Sequence, residues 1–209
     1  MDNKKIITVG IIEEKPERTT FRYIKELLVQ CNYSIIYSNL NSNIVVCNND
    51  NNTLVIMDIE PKNLYHFDGL GIKFNVLIHT FLNQEDYDND MLKNQFSKCD
   101  YCVINSDEEN WISLLSDSTE GIVITYGFNL KAAVTVSSYN TNHEIEANLC
   151  LQRDVYPLNG EKTEPYEIPM KIKSHNKDDI YPGLAAATLN IILGDSGFTN
   201  SSMDAIEIK

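Results

Sequence analysis

Short apolar runs alternate with segments of helical periodicity through the first two thirds of the sequence, and this order constrains the fold more than any other feature. The runs at residues 6–9, 76–80, 101–105 and 122–126 have the length and composition of strands that are buried on both faces. Strands that alternate with helices are typical of βαβ units, in which parallel strands form the sheet and helices cover it. The pattern therefore predicts an α/β fold with a mostly parallel central sheet flanked by helices.

The first such unit is predicted at the start of the chain. A strand at residues 6–9 is followed by a charged loop at residues 10–18 and then by a helix. Either Thr19 or Thr20 can cap this helix through its hydroxyl group. The apolar residues on one face of the helix are Phe21, Ile24, Leu27, Leu28 and Cys31.

Three further short strands are predicted at residues 34–37, 44–47 and 53–58. The last two are separated by the sequence NNDNN, whose asparagines and aspartate tolerate the left-handed conformation that tight turns require. These two strands are therefore predicted to form a hairpin.

The pattern changes after the parallel core predicted for residues 1–132. Residues 133–173 alternate between apolar and polar side chains, which predicts a small antiparallel sheet. An apolar, Ala-rich helix is predicted at residues 181–194, and the polar tail at residues 197–209 is either a short strand or a loose end. We expect residues 1–209 to form a single domain.

The charge of the chain excludes some classes of partner. The 209 residues include 30 acidic and 17 basic side chains, which gives a formal net charge of −13 without a basic patch. Such a surface repels nucleic acid and anionic membranes, so neither is an expected partner. The first ten residues contain only a four-residue apolar run, so we expect a cytoplasmic protein.

The five cysteines do not predict a disulfide framework, because their number is odd. Cys99 and Cys102 form a C-x-x-C pair, but no second pair or nearby histidine completes a zinc site. We expect them to be reduced residues of the core.

Six segments occur in an order that resembles the central, ATP-binding domain of the Mur ligases, in particular the UDP-N-acetylmuramoyl tripeptide synthetase type. TVGIIEEKPERTTFRYIKELL resembles the family's strand, its G-I-T-G-T-N-G-K-T-T phosphate loop and the helix that follows. The other five segments are VIMDIEPKNL, FNVLIHTFLNQED, DMLKNQFSKCDYCVINSDE, ITYGFN and SHNKDDIYPGLAAATLNIILG. The resemblance implies a P-loop-type α/β core, while the family's N-terminal and C-terminal ligase domains have no room in 209 residues.

In the family, the phosphate loop holds ATP through backbone amides, a lysine and a threonine that binds magnesium. The positions here that match nucleotide-binding residues of the family are Gly10, Arg18, Thr19, Thr20, His175 and Asn176. The loop is nevertheless degenerate, because Glu13, Glu14 and Glu17 replace small or neutral residues and Pro16 removes an amide donor. Pro182 also replaces the asparagine that the family places near the adenine.

The resemblance implies a candidate magnesium set as well. Asp58 lies at the position of the family's metal-binding glutamate, and Glu85 and Asp86 occupy the positions of an aspartate and a histidine. Lys98 matches the lysine that the family carbamylates. The alternative is that the three acids are solvated loop residues and that Lys98 is a surface lysine at a helix end.

Two smaller features bear on the site. Glu60 and Pro61 replace paired serines that contact substrate in the family, which removes part of the attraction for an anionic sugar peptide. The sequence after the strand at residues 101–105 keeps the family's N-x-D-acid pattern, in Asn105, Asp107 and Glu108. Asp107 can also serve simply as the cap of a following helix.

These departures lead to two hypotheses about function. The first is a pseudoenzyme, a non-catalytic Mur-ligase-like domain that binds or regulates a partner and is linked to peptidoglycan or cell-envelope precursor metabolism. It needs no cofactor, and its partner is another protein, a second copy or a small molecule. The alternative is an ATP-dependent acid–amino acid ligase core that uses ATP and Mg²⁺ and takes its missing domains from another chain.

Overall fold

The computed structural model describes residues 4–14, 17–39, 43–194 and 206–208. Pro16, which was expected to weaken the phosphate loop, lies outside these residues, as does most of the predicted tail. The strands are β1 Lys5–Ile12, β2 Ser34–Asn39, β3 Ile44–Asn48, β4 Asn52–Ile59, β5 Val76–His79, β6 Tyr101–Asn105, β7 Ile122–Tyr126, β8 Val134–Asn140, β9 Ile145–Leu151, β10 Tyr166–Ile172 and β11 Ile206–Ile208. The α-helices are α1 Thr19–Gln30, α2 Leu64–Gly69, α3 Asp90–Lys98 and α4 Ile180–Leu193.

All eleven strands belong to one mixed sheet, in the order β11-β10-β9-β8-β7-β6-β5-β1-β4-β3-β2. The central strands, from β4 through β1, β5 and β6 to β7, are parallel, which confirms the predicted parallel core. The predicted hairpin is also confirmed, since β3 and β4 pair in antiparallel register.

The prediction of a separate small antiparallel sheet was wrong. Strands β8, β9 and β10 are antiparallel to one another, but β8 continues the parallel sheet through a bridge between Tyr126 and Val134. Alternation along these strands correctly indicated antiparallel pairing. It carries no information about which neighbour the first strand pairs with, so the continuity with β7 could not be predicted.

Two apolar cores cover the two faces of the sheet. Helices α1 and α4 pack together on one face, where α4 is buried along nearly its whole length. Helices α2 and α3 cover the other face through Leu64, Leu92 and Phe96. A fully buried aliphatic or aromatic side chain stabilises a fold by roughly 1.5–3 kcal/mol, so both cores contribute substantially. Among the helices in the described ranges, none combines the length and the apolar character that crossing a bilayer requires.

Strand β1 is longer than predicted and includes Gly10. Gly10 was predicted to begin the charged loop that follows this strand. In the structure it pairs with Met57 and Leu77, and a Cβ atom there would lie 2.7 Å from Leu77 Cδ1 and 3.0 Å from Phe74 Cδ1. Gly10 therefore allows two neighbouring side chains to pack over the strand, and the loop begins at Glu13.

Candidate functional site at the carboxyl ends of the parallel strands

The candidate site lies where the order of the sheet reverses. Strand β1 pairs with β4 on one side and with β5 on the other, so the chain leaves β1 in one direction and later returns on its opposite side. In open α/β sheets, the crevice at the carboxyl ends of such strands is where ligands bind. A cavity of about 380 Å³ lies there, between the loop after β1 and the beginning of α4.

Glu13, the first residue of the loop, is turned into the protein. It is 4% exposed, and its Oε1 accepts a hydrogen bond of 2.8 Å from the hydroxyl of Thr20. Thr20 is the second of the two threonines that follow the lysine position of the predicted phosphate loop, and its hydroxyl is held by a carboxylate of the same loop. Helix α1 begins at Thr19 without a side-chain cap, so the prediction that Thr19 or Thr20 caps the helix was wrong.

Arg18, which matches the lysine of the phosphate loop, points towards the end of β4. Its guanidinium donates to Asp58 Oδ2 at 3.0 Å and to Glu60 Oε1 at 3.3 Å. The Arg18 backbone has φ +51°, in the left-handed region that non-glycine residues seldom adopt. Its charge therefore neutralises acids of the protein itself.

Asp58 is nearly enclosed by this arrangement. Its side chain is 2% exposed, and Oδ1 has no hydrogen-bond partner among the described residues. Burial raises the pKa of Asp58, and the hydrogen bond from Arg18 only partly opposes this shift. The pKa of Glu60 shifts in the opposite direction. The hydrogen bond from Lys62 lowers the pKa of this partly exposed carboxyl group.

The cavity itself is acidic. Its lining contains four carboxylates, and no lysine or arginine is present among the described residues that line it. The lining residues are Glu13, Glu17, Thr19, Phe81, Asn176, Asp178, Asp179 and Pro182. Of the residues that match the family's nucleotide site, the structure brings Thr19 and Asn176 to this cavity.

Asn176 and Asp179 hold the far wall of the cavity together. The Asn176 side chain accepts from the backbone N–H of Asp178 and donates to Asp179 Oδ1 at 3.0 Å. Asp179 Oδ2 also accepts from the hydroxyls of Ser174 at 2.6 Å and Tyr23 at 3.0 Å. His175 is exposed and does not line the cavity. Asn176 therefore organises the turn before α4.

The candidate metal ligands do not form a cluster. Glu85 and Asp86 lie in a short 3₁₀ helix, Gln84–Asp88, where Asp86 Oδ2 accepts from the backbone N–H of Asn83. No group of three histidine, cysteine, aspartate or glutamate side chains within the described ranges is placed to hold a metal ion. Lys98 is the last residue of α3, just before β6 begins. It therefore lies at the amino ends of the parallel strands, whereas the cavity lies at their carboxyl ends.

Sequence reasoning missed a buried polar chain at the end of β5. His79 is fully buried, its Nδ1 accepts from the backbone N–H of Asn105 at 3.3 Å, and its Nε2 lies 2.9 Å from the hydroxyl of Tyr87. That hydroxyl in turn donates to Glu108 Oε2 at 3.2 Å. Burial lowers the pKa of His79 to about 3. The neutral ring joins three segments, and its place in an apolar run gave no sign of this role.

Asp107 organises the loop after β7. Its carboxylate accepts from the backbone N–H groups of Phe128 at 2.6 Å and Asn129 at 2.8 Å, and from the hydroxyl of Tyr181 at 3.1 Å. No α-helix follows Asp107 before β7, so the reading of this residue as the cap of a following helix was wrong. Gly127, with φ +138°, lets the loop pass the Asp107 carboxylate.

The C-x-x-C pair lies away from the cavity. Cys99 and Cys102 are 3% and 0% exposed, which confirms that they belong to the core. Their sulfur atoms are 3.0 Å apart, and both thiols donate to the carbonyl of Phe96. This position between α3 and β6 explains their burial.

Comparison with known proteins shows the fold. No family model matches the chain, and no curated protein matches it in sequence. Among solved structures, the chain is similar to a pseudomurein peptide ligase type C from Methanothermus fervidus, with a TM-score of 0.56 and 12% sequence identity. The similarity covers 92% of this chain and 47% of the ligase, so the chain spans about half of that protein's length. The expected resemblance is thus confirmed at the level of the fold, over most of the chain.

Proposed function

We propose that this protein is a non-catalytic relative of the Mur-type peptide ligases that acts by binding, as a regulatory or adaptor protein of cell-envelope precursor metabolism. The observation that carries this proposal is the state of the loop after β1. Arg18, the cation that would hold a triphosphate, and the hydroxyl of Thr20 in the same segment are already engaged by carboxylates of the same chain.

Two of these contacts oppose nucleotide binding directly. Arg18 would have to leave Asp58 to meet a phosphate, and the buried Asp58 carboxylate would then lose its cationic partner. Removing one partner of a buried ion pair is strongly destabilising, although the 29% exposure of Arg18 reduces the cost here. The hydrogen bond from Thr20 likewise holds the Glu13 carboxylate at the cavity, which Thr19 also lines.

The negative charge of the cavity also opposes nucleotide binding. Glu13, Glu17, Asp178 and Asp179 line it. A triphosphate carries a charge of about −4, and each like-charge contact in a partly desolvated site costs on the order of 1 kcal/mol or more. The residues present therefore do not fit ATP and Mg²⁺, and we derive no phosphoryl-transfer step through them.

The fold alone supports the alternative function, an ATP-dependent acid–amino acid ligase core that is completed by another chain. The solved relative is a peptide ligase of about twice the length. In that case Arg18 and Thr19 would contact phosphate, and Asp58 and Lys98 would serve the metal. The separation of Lys98 from the other three residues weighs against this assignment.

Calorimetric titration of the protein with ATP and Mg²⁺ separates the two functions. We expect no saturable heat at millimolar nucleotide, because the cavity repels polyanions and offers no free cation among its described lining residues. A dissociation constant in the micromolar range would contradict the proposal.

If nucleotide binding is observed, two matched variants show whether the nucleotide binds at Arg18. Under the ligase alternative, Arg18→Ala abolishes nucleotide binding, while Lys25→Ala, which removes a cation from the exposed side of α1, leaves it intact. Equal binding by both variants and the original chain would place the nucleotide elsewhere and would contradict the ligase assignment as well.

A further inference from the structure

Strand β2 is the exposed edge of the sheet on the side of β3. It pairs with β3, and no other described strand lies beside it. The strand has the sequence SIIYSN, and its consecutive apolar residues Ile35, Ile36 and Tyr37 are 40%, 59% and 49% exposed. An edge strand presents a row of backbone donors and acceptors that another strand can use. Here that row is combined with exposed apolar side chains.

The charge around this edge is unusual for the molecule. Residues 27–49, which include all of β2 and β3, contain no charged side chain and form the longest such run in a sequence of net charge −13. Soluble proteins commonly protect an edge strand with lysine, other charges or proline. None of these occurs in β2, although the strand carries a β-bulge, which is another such device. The strand itself is therefore uncharged and apolar on a strongly acidic protein, and the Lys25 Nζ of α1 lies 3.4 Å from the Ser38 hydroxyl at its end.

We propose that β2 pairs in antiparallel register with β2 of a second copy of this chain, forming a twofold-symmetric dimer with a continuous sheet. The charge distribution favours a second copy over a different protein. Two acidic molecules repel each other over most of their surfaces, and β2 lets them meet without placing like charges in contact. A basic protein would instead be attracted to the acidic faces and would gain nothing from a neutral strip. This inference does not depend on the function proposed for the cavity.

The geometry of β2 limits the assembly to a dissociable dimer. The register with β3 shifts between Ile35 and Tyr37, so Ile36 is the extra residue of a β-bulge. A bulge bends an edge strand and shortens the straight segment that can pair. Twofold pairing also uses the β2 edge of both molecules, so growth at this edge stops at two copies.

The test measures molecular mass against protein concentration by sedimentation equilibrium, from 1 µM to 1 mM. We expect the mass to rise towards twice that of the chain. Because screening weakens the repulsion between two acidic molecules, raising NaCl from 0.05 to 0.5 M should lower the dissociation constant by about tenfold. Amide hydrogen exchange at high concentration should slow by about tenfold in residues 34–39.

Two lysine variants locate the interface. Ile36→Lys places a charge on the edge and should raise the dissociation constant at least tenfold, without changing the melting temperature of the monomer, because the side chain is 59% exposed. Ile112→Lys makes the same change at a position that is 66% exposed and lies outside the sheet, and it should leave the dimer intact.

Three outcomes would overturn the proposal. A chain that stays monomeric at 1 mM has no such interface. A dimer that survives Ile36→Lys uses another surface. A dimer in which residues 34–39 exchange as fast as in the monomer is not formed through β2, whatever its response to the two variants.

Discussion

At the scale of single residues, the site is defined by side chains that the protein keeps for its own contacts. Arg18 was predicted to match a lysine that binds phosphate in the Mur ligases, and Thr20 belongs to the pair of threonines that follows that position. In this chain Arg18 donates to Asp58, and Thr20 donates to Glu13. Glu13 both adds negative charge to the loop and engages the Thr20 hydroxyl, whereas Asp58 lies where a carboxylate was already expected and engages Arg18. The weak nucleotide affinity that we propose would therefore have two physical causes, the negative charge at the cavity and the engagement of Arg18.

His79 gives the first prediction at this scale. Burial lowers the pKa of His79 to about 3, whereas the unfolded chain titrates near 6.5. Between these values the unfolded state binds a proton that the folded state does not. The contribution of His79 is therefore complete above pH 6.5 and is lost as the pH falls towards 3. For this one group the free energy of unfolding should decrease by up to about 1.4 kcal/mol per pH unit.

Urea denaturation at pH 7, 6 and 5 checks this. The raised pKa of Asp58 acts in the opposite sense at low pH, so the slope of the original chain must be compared with that of His79→Gln. We expect the variant to be less stable at pH 7 and to have the shallower slope. The exposed His175→Gln should leave the slope unchanged. Equal slopes for the chain and for His79→Gln would show that His79 titrates normally in the fold.

At the scale of elements, the loop after β7 depends on one glycine. Gly127 has φ +138°, and a Cβ atom there would lie 2.8 Å from the Asp107 carboxylate, which holds the next two backbone N–H groups. Gly127→Ala combines backbone strain with this steric clash and should lower the free energy of unfolding by about 2–3 kcal/mol.

The matched control is Gly69→Ala in α2. Gly69 has no positive φ, and a Cβ atom there meets nothing within 4 Å. Alanine should be neutral there or stabilise the protein by up to about 1 kcal/mol. Thermal or urea denaturation of the two variants measures the difference. A neutral Gly127→Ala would mean that the loop does not hold the conformation on which the Asp107 contacts depend.

Periodicity predicted most of the elements because it reports burial directly. The parallel strands, α1, α4 and the β3–β4 hairpin all follow from apolar spacing and turn residues. Contacts between distant segments could not be predicted in this way. The bridge from Tyr126 to Val134 depends on which strands become neighbours, and the ion pair from Arg18 to Asp58 depends on the register between β1 and β4. Of the residues that the sequence predicted for a nucleotide site, Thr19 and Asn176 line the cavity, and tertiary packing decides what each one contacts.

At the scale of the whole molecule, the net charge predicts that all cations stabilise the fold to some extent. This general effect must be distinguished from the binding of a metal ion at a specific site. A chain of charge −13 repels itself when compact, so any salt that screens this repulsion should raise its melting temperature. Mg²⁺ would add a specific gain only if Asp58, Glu85 and Asp86 acted together as ligands. Since these residues are not grouped in the described structure, we expect no contribution from Asp58 to the effect of Mg²⁺.

The measurement compares melting temperatures in MgCl₂ and NaCl at equal ionic strength for the original chain, Asp58→Asn and Asp117→Asn. Asp117 lies between Leu114, where a 3₁₀ helix ends, and β7, and it belongs to no candidate site. A divalent cation accumulates near any strongly acidic surface, so a modest excess for MgCl₂ is expected in all three proteins. If Asp58→Asn alone lost that excess, Asp58 would be a metal ligand. The ligase alternative would then regain its magnesium, and the ion pair between Arg18 and Asp58 would have to open when the metal binds.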